Sequence, residues 1–133
     1  MDSHLILGAL GEEAACRYLM HKGYTLLARN WRVHPLEIDI VAEWFGEVIF
    51  VEVKTRSNED FQDAVAAVDW EKKENLVRAA RAFMAYHHLD QPYRFDIITV
   101  VGEMPPFTLR HWMNAFTPQG VREHDMEKFR RSK

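Results

Sequence analysis

Two acidic residues, Asp39 and Glu52, and a lysine two positions beyond the second, Lys54, stand in apolar runs that would carry them into contact. The runs are Leu36 to Ala42 and Val48 to Thr55, rich in Ile and Val and separated by Glu43-Trp44-Phe45-Gly46-Glu47. That pattern predicts a β-hairpin turning near Gly46. With an even loop centred between Phe45 and Gly46, Asp39 faces Glu52 and Glu37 faces Lys54. Residues two apart share a face of a strand, so all four side chains project together.

Carboxylates opposed across a ladder repel each other. These two also sit among Ile38, Ile40, Val51 and Val53, in strands composed for burial. Burying them is costly unless a cation, a proton or hydrogen bonds compensate. A hard divalent cation, Mg2+ or Mn2+, resolves the conflict, because such an ion is held by one or two carboxylates and keeps waters and phosphate oxygens in its shell. Lys54 would then lie beside the ion, able to orient a water or stabilise charge developing on phosphate. A plainer reading makes Glu37–Lys54 a cross-strand ion pair and leaves Asp39 and Glu52 on a solvated face. An odd loop length would also separate them. Pattern alone leaves the readings level.

The elements that must position these residues follow from periodicity. Residues 8–22 predict a helix, with Leu10, Ala14, Tyr18 and Leu19 as its buried stripe and Gly23 as its stop. Tyr24 to Arg32 predicts a short strand, followed by the hairpin. Its second run, Val48-Ile49-Phe50-Val51, is apolar on both faces and predicts a central strand. Arg56 to Gln62 reads as a loop. A long helix should open with Asp69 as N-cap and bury Leu76, Val77, Ala80, Phe83, Met84 and His87, with Arg78 and Arg81 outward. Tyr93 to Val101 and about Thr108 to Trp112 predict two more strands. The expected fold class is α/β in the order α-β-β-β-α-β-β, a mixed central sheet flanked by helices. Residues 1–116 should form one domain, and 117–133 a polar, partly basic tail, flexible or weakly helical.

The 133 residues, 47% hydrophobic and 28% charged, suit one globular domain. Cys16 is the only cysteine, so no intrachain disulfide can form. The apolar stretch Leu5 to Leu10 is far shorter than the roughly 20 residues of a membrane span, and a cytoplasmic location is expected. A net charge of −3 argues against a bulk electrostatic DNA binder, although an acidic metal site lowers the formal charge of any nuclease.

Several separated motifs then resemble one family. Glu37-Ile38-Asp39 followed by Phe50-Val51-Glu52-Val53-Lys54-Thr55-Arg56 is similar to the core motif of the YraN-like bacterial proteins. That family has a restriction-endonuclease-like fold akin to archaeal Holliday-junction resolvases. Gly11-Glu12, Ala14, Tyr18-Leu19, Gly23-Tyr24, Arg29-Asn30-Trp31-Arg32, Lys72, Ala80, Arg94-Phe95-Asp96 and Asn114-Ala115-Phe116 agree with it. The likeness runs over about residues 8–116. It implies a restriction-endonuclease-like core in which Asp39 and Glu52 are metal ligands and Lys54 is the catalytic lysine. It also picks Glu12 over Glu13 as a further acidic residue near the metal. The chain departs from the family pattern at Leu36 and Gln62, where glycine is common; neither is a proposed ligand.

Arg29, Arg32, Arg56 and Lys72, with Lys73 beside them, are candidates for a phosphate-binding rim, and any one of them taken singly is ordinary solubilising surface. Trp31, Trp44 and Trp70 are better read as core than as base-stacking platforms. The seven histidines lack zinc-site spacing. Arg94 and Asp96 predict structural ion pairs, and Cys16 a small buried residue. The expected function is a Mg2+- or Mn2+-dependent nuclease acting on DNA, with branched or structured DNA among its candidate substrates and a homodimer as its candidate assembly. The rival is a catalytically silent nucleic-acid-binding or adaptor module that retains the fold. A third reading, weaker than either, makes the hairpin charges structural ion pairs and nothing more.

Overall fold

A strand apolar at every position has to be covered on both sides, and the fold is organised around Val48-Ile49-Phe50-Val51. In a computed structural model, which describes residues 3–58 and 68–131, these four side chains are completely buried at the centre of a five-stranded sheet. The strands are β1 (Thr25–Val33), β2 (Leu36–Trp44), β3 (Glu47–Arg56), β4 (Tyr93–Val101) and β5 (Thr108–Phe116). They lie side by side in sequence order; β3 and β4 are parallel and the other pairs antiparallel. Helices α1 (Ser3–His21), α2 (Trp70–Tyr86) and α3 (Pro118–Arg131) flank the sheet. The result is a mixed α/β arrangement of the restriction-endonuclease type.

The core divides by face. Under α2 lie Ile38, Val41, Val48, Phe50, Phe95 and Ile97, packed on Leu76, Val77, Ala80, Phe83 and Met84. Under α1 lie Ile40, Ala42, Ile49, Val51, Ile98 and Val100, packed on Ala15, Cys16 and Leu19. The β2–β3 hairpin turns on two residues, Phe45 and Gly46, both at positive φ (50° and 78°), the backbone that matches strand twist in two-residue hairpins. The β2–β3 pairing follows the even-loop register from Trp44↔Glu47 to Ile40↔Val51 and stops there.

Beyond that point β2 does not keep its alternation. Ile38 belongs to the α2 face and Ile40 to the α1 face, although residues two apart should share a side. The rotation is centred on Asp39. On β1, Arg29 pairs with Ile40 and Trp31 with Ile38, which sets Asn30 opposite Asp39. Asn30 has φ 51°, a conformation that asparagine tolerates better than most residues. The expectation that Glu37, Asp39, Glu52 and Lys54 share one regular face is therefore corrected, because the strands splay where the carboxylates begin.

Other expectations shift as well. α1 starts at Ser3 rather than residue 8, and buries Gly11, Ala15, Cys16 and Leu19 instead of a stripe through Leu10, Ala14 and Tyr18. Small residues win that face because the helix lies very close to β3: a Cβ on Gly11 would stand 2.2 Å from Thr55 Oγ1 and 2.7 Å from its Cγ2. Gly11→Ala is accordingly expected to cost about 1–3 kcal/mol through overpacking. Chemical denaturation would show it as a lowered midpoint, and an unchanged midpoint would mean that helix and strand can separate freely.

α2 opens as predicted, with the Asp69 side chain accepting from Lys72 N at 2.9 Å. His87, assigned above to its buried stripe, is exposed at the C-cap. The segment read as a flexible or weakly helical tail is helical over Pro118–Arg131. Gly120 N donates to Thr117 Oγ1 at 3.0 Å, so a threonine cap precedes a proline at the first helical position, and Val121 anchors the helix in the core. Gln62 lies outside the described residues, whereas Leu36 closes the β1–β2 hairpin opposite Val33. Among the described residues no helix is long and apolar enough to cross a membrane.

Candidate active site

Where β2 and β3 part, the gap is filled by carboxylates. Asp39 Oδ2 accepts from Val53 N at 2.9 Å, taking a backbone donor just past the last paired residues of the hairpin. Glu52 follows Val51 on β3 and is only 5% exposed. The Asp39 and Glu52 carboxyls line the same cleft, close enough for each to act on the ionisation of the other. Both are driven toward the protonated form, Glu52 to about 8, by burial first and then by Asp39; for Asp39 burial is again the leading cause.

Glu12 reaches the same region from α1, brought there by the close approach of Gly11 to Thr55. Its pKa is raised by burial and then by Asp39. Its Oε1 is buried without a hydrogen-bond partner, and the nearest guanidinium nitrogen, Arg29 Nη2, stands 3.9 Å away. Lys54 is half-buried, and its pKa is lowered by burial and then by the neighbouring Arg56. Lys72, from the first turn of α2, holds its Nζ 3.4 Å from Glu52 Oε1.

These groups line one cleft of about 650 Å3, in which Glu12, Asp39, Glu52, Lys54 and Lys72 share the wall with Arg29, Arg32 and Arg56. Of the expected rim cations, Arg29 is pinned to Glu13 Oε2 at 2.9 Å, and Arg32 lies 3.5 Å from Glu37 Oε1. Arg56 donates to Thr55 O at 3.1 Å. Glu37 is thus not opposed to Lys54. Its partner comes from β1, because the β2–β3 ladder ends before reaching it. Sequence reasoning quoted Asn30 and Thr55 only within motifs and gave no site role to them or to Gly8 and Ala9, all of which line the cleft. The one legible signal was Asn30, a residue type suited to left-handed backbone.

Among the described residues no three Asp, Glu, His or Cys side chains converge tightly enough to share a metal ion. A Mg2+-type site does not need three, since one or two carboxylates plus waters suffice. Asp39 and Glu52 fit that requirement: they are oxygen donors in one cleft, Asp39 half-buried and Glu52 buried. The orphaned Glu12 oxygen suits a bridging water better than direct ligation.

The Asp96 network is a separate construction. Arg94 Nε and Nη2 grip Asp96 at 3.0 and 3.1 Å, and His111 Nε2 lies 2.6 Å from its Oδ2. Asn114 N donates to Oδ1 at 2.9 Å. Arg94 also reaches Tyr24 and Glu47, and Tyr18 reaches His111. The register of β4 against β5 shifts at this carboxylate, between Phe95 and Ile97, so Asp96 closes an irregularity in the sheet.

A family model described as "Uncharacterised protein family UPF0102" matches residues 11–100. The chain is similar to the UPF0102 protein of Bacteroides thetaiotaomicron, at 48% identity over 89% of this chain and 98% of that one. The UPF0102 protein of Phocaeicola vulgatus is 44% identical over the same shares. The UPF0102 protein of Koribacter versatilis is 41% identical over 88% of this chain and 83% of its own length.

Proposed function

The chain belongs to the UPF0102 family, the YraN-like proteins that its motifs resemble, and on that premise we propose that it is a divalent-metal-dependent nuclease hydrolysing DNA phosphodiester bonds. Branched or structured DNA is the candidate substrate. The observation that carries the reading is the grouping in one cleft of a buried Glu52, a half-buried Asp39, and Lys54 two residues along the same strand.

Asp39 and Glu52 would hold Mg2+ or Mn2+, with Glu12 reaching it through water. When bound, the ion would polarise a phosphoryl oxygen and acidify a water. Asp39 is kept in place by the Val53 N–H, and Glu52 by a central strand buried on both faces. The ammonium of Lys54 orients the attacking water and offsets charge gathering on the phosphate. Arg29, Arg32 and Arg56 meet neighbouring phosphates, contacts that carry no sequence information. Two cleavage sites on one substrate would need a homodimer, which is the candidate assembly.

The test pairs metal titration with cleavage of duplex, single-stranded and four-way-junction DNA, comparing wild type with Lys54→Met. Wild type should bind Mg2+ saturably and cut at least one substrate. Lys54→Met should bind the metal and cut roughly a hundredfold more slowly. Equal rates would remove Lys54 from the reaction, and a folded wild type that binds no metal would sink the reading. The rival, a silent adaptor, is favoured by Lys72, whose Nζ stands 3.4 Å from Glu52 Oε1 and offsets its charge without a metal. It predicts nucleic-acid binding without cutting in any metal.

A further inference from the structure

We propose that Lys72 is a built-in counter-ion for the acidic pair, occupying the place a divalent cation would take and surrendering it when that cation binds. The inference rests on the nuclease reading for the identity of the ion, and on geometry for the rest. Lys72 Nζ lies 3.4 Å from Glu52 Oε1, an oxygen whose side chain is 7% exposed, while the lysine side chain itself is 57% exposed. One end of the pair is fixed in the core and the other can leave through solvent.

The position is a poor one for a lysine on helical grounds. It falls in the first turn of α2, where Asp69 caps the helix and its own N–H is the capped donor. Positive charge there opposes the helix dipole. Its neighbour Lys73 avoids the cleft altogether, lying 4.4 Å from the Trp70 ring centroid. Of these two lysines, only Lys72 turns to the carboxylates.

A tethered cation solves the problem of keeping a buried Glu52 beside a half-buried Asp39 in a folded chain before metal arrives. It also imposes a cost on metal binding, because an ammonium already within contact of Glu52 repels a second cation. Once displaced, the same ammonium sits free at the cleft mouth, on the side from which a phosphodiester must enter. Lys72 would thus couple the two arrivals, with metal binding exposing a phosphate contact.

Calorimetric titration of Mg2+ into wild type, Lys72→Met and Lys72→Arg tests this without any cleavage assay. All three proteins are titrated in one buffer at the same pH and ionic strength. Lys72→Met should bind Mg2+ roughly tenfold more tightly, and Lys72→Arg should stay near wild type. Acylation of Lys72, followed by peptide mass mapping against the exposed Lys128, should rise several-fold when Mg2+ is added. Unchanged or weaker binding in Lys72→Met, with normal binding in wild type, overturns the counter-ion role and leaves the metal site standing. No binding in any of the three overturns both. Metal-independent acylation of Lys72 also counts against displacement.

Discussion

Replacing Glu52 with glutamine should yield a protein that melts higher in the absence of metal and, on the proposed nuclease reading, loses DNA cleavage. Burial and Asp39 push the Glu52 carboxyl up to about 8 from an ordinary value of 4.5. Between those values the folded chain keeps a proton that the unfolded chain releases. The stability contributed by this group is therefore complete below the unfolded value and is lost as pH rises through about 8. Glutamine keeps the shape, retains hydrogen-bonding capacity toward Asp39, and never ionises. Its gain should be largest above pH 8 and close to nothing at pH 4. A gain of about 2 kcal/mol is a fair scale for one such carboxylate, or roughly 5–10 °C in Tm for a chain of this size. The same change should remove saturable Mg2+ binding and slow cleavage by roughly a thousandfold or more. Thermal melts of both proteins across that pH range check the first half, and titration with cleavage checks the second. A variant less stable than wild type at every pH would show that Glu52 is an ordinary structural ion-pair partner of Lys72.

Asp96→Ala should have the opposite character, costing about 3–5 kcal/mol and leaving the proposed nuclease activity of any folded fraction intact. Asp96 is fully buried. Burial would raise its pKa, but hydrogen bonds from His111, Arg94 and the Asn114 backbone outweigh it, and the carboxyl is held below its usual range. Removing it takes the shared carboxylate from a guanidinium and an imidazole whose side chains are 13% and 7% exposed, leaving, among the described residues, Arg94 hydrogen-bonded to Glu47 and Tyr24 and His111 to Tyr18. Urea midpoints for wild type, Asp96→Ala and Asp96→Asn give the measurement, with asparagine expected to fall between the other two. A cost under about 1 kcal/mol for alanine would mean that water or a rearranged β5 satisfies Arg94 and His111.

These two carboxylates mark the boundary of what could be read beforehand. The β2–β3 hairpin was legible because its causes are local: a two-residue turn at Phe45-Gly46 and a strand period of two fix which residues oppose which. The Asp69 cap was legible for the same reason. The rotation of β2 at Asp39 was not, since it depends on the neighbouring strand and on Asn30 at positive φ. The buried face of α1 was misread because size suggested Leu10 and Tyr18, whereas tight approach to Thr55 selected Gly11 and Ala15. Arg94-Phe95-Asp96 and Asn114-Ala115-Phe116 stood out as separate motifs. Only the sheet joins them, through the Asn114 N–H and the Asp96 carboxylate. Lys72 was visible as a cation near a helix start, but its partner across the cleft was not.

The irregularities of β1 have a second consequence, for the rim of the sheet. Among the described residues β1 is an outermost strand, with β2 on one side only. It carries a register shift between Leu26 and Ala28, left-handed backbone at Asn30, and two arginines, Arg29 and Arg32. An outer strand with a regular row of free N–H and C=O groups is a template on which another chain can add a strand, the first step of many aggregates. Bulges and charge break up that row. The same departure from regular pleating that turns Asp39 into the cleft leaves an incoming strand no continuous edge to zip along.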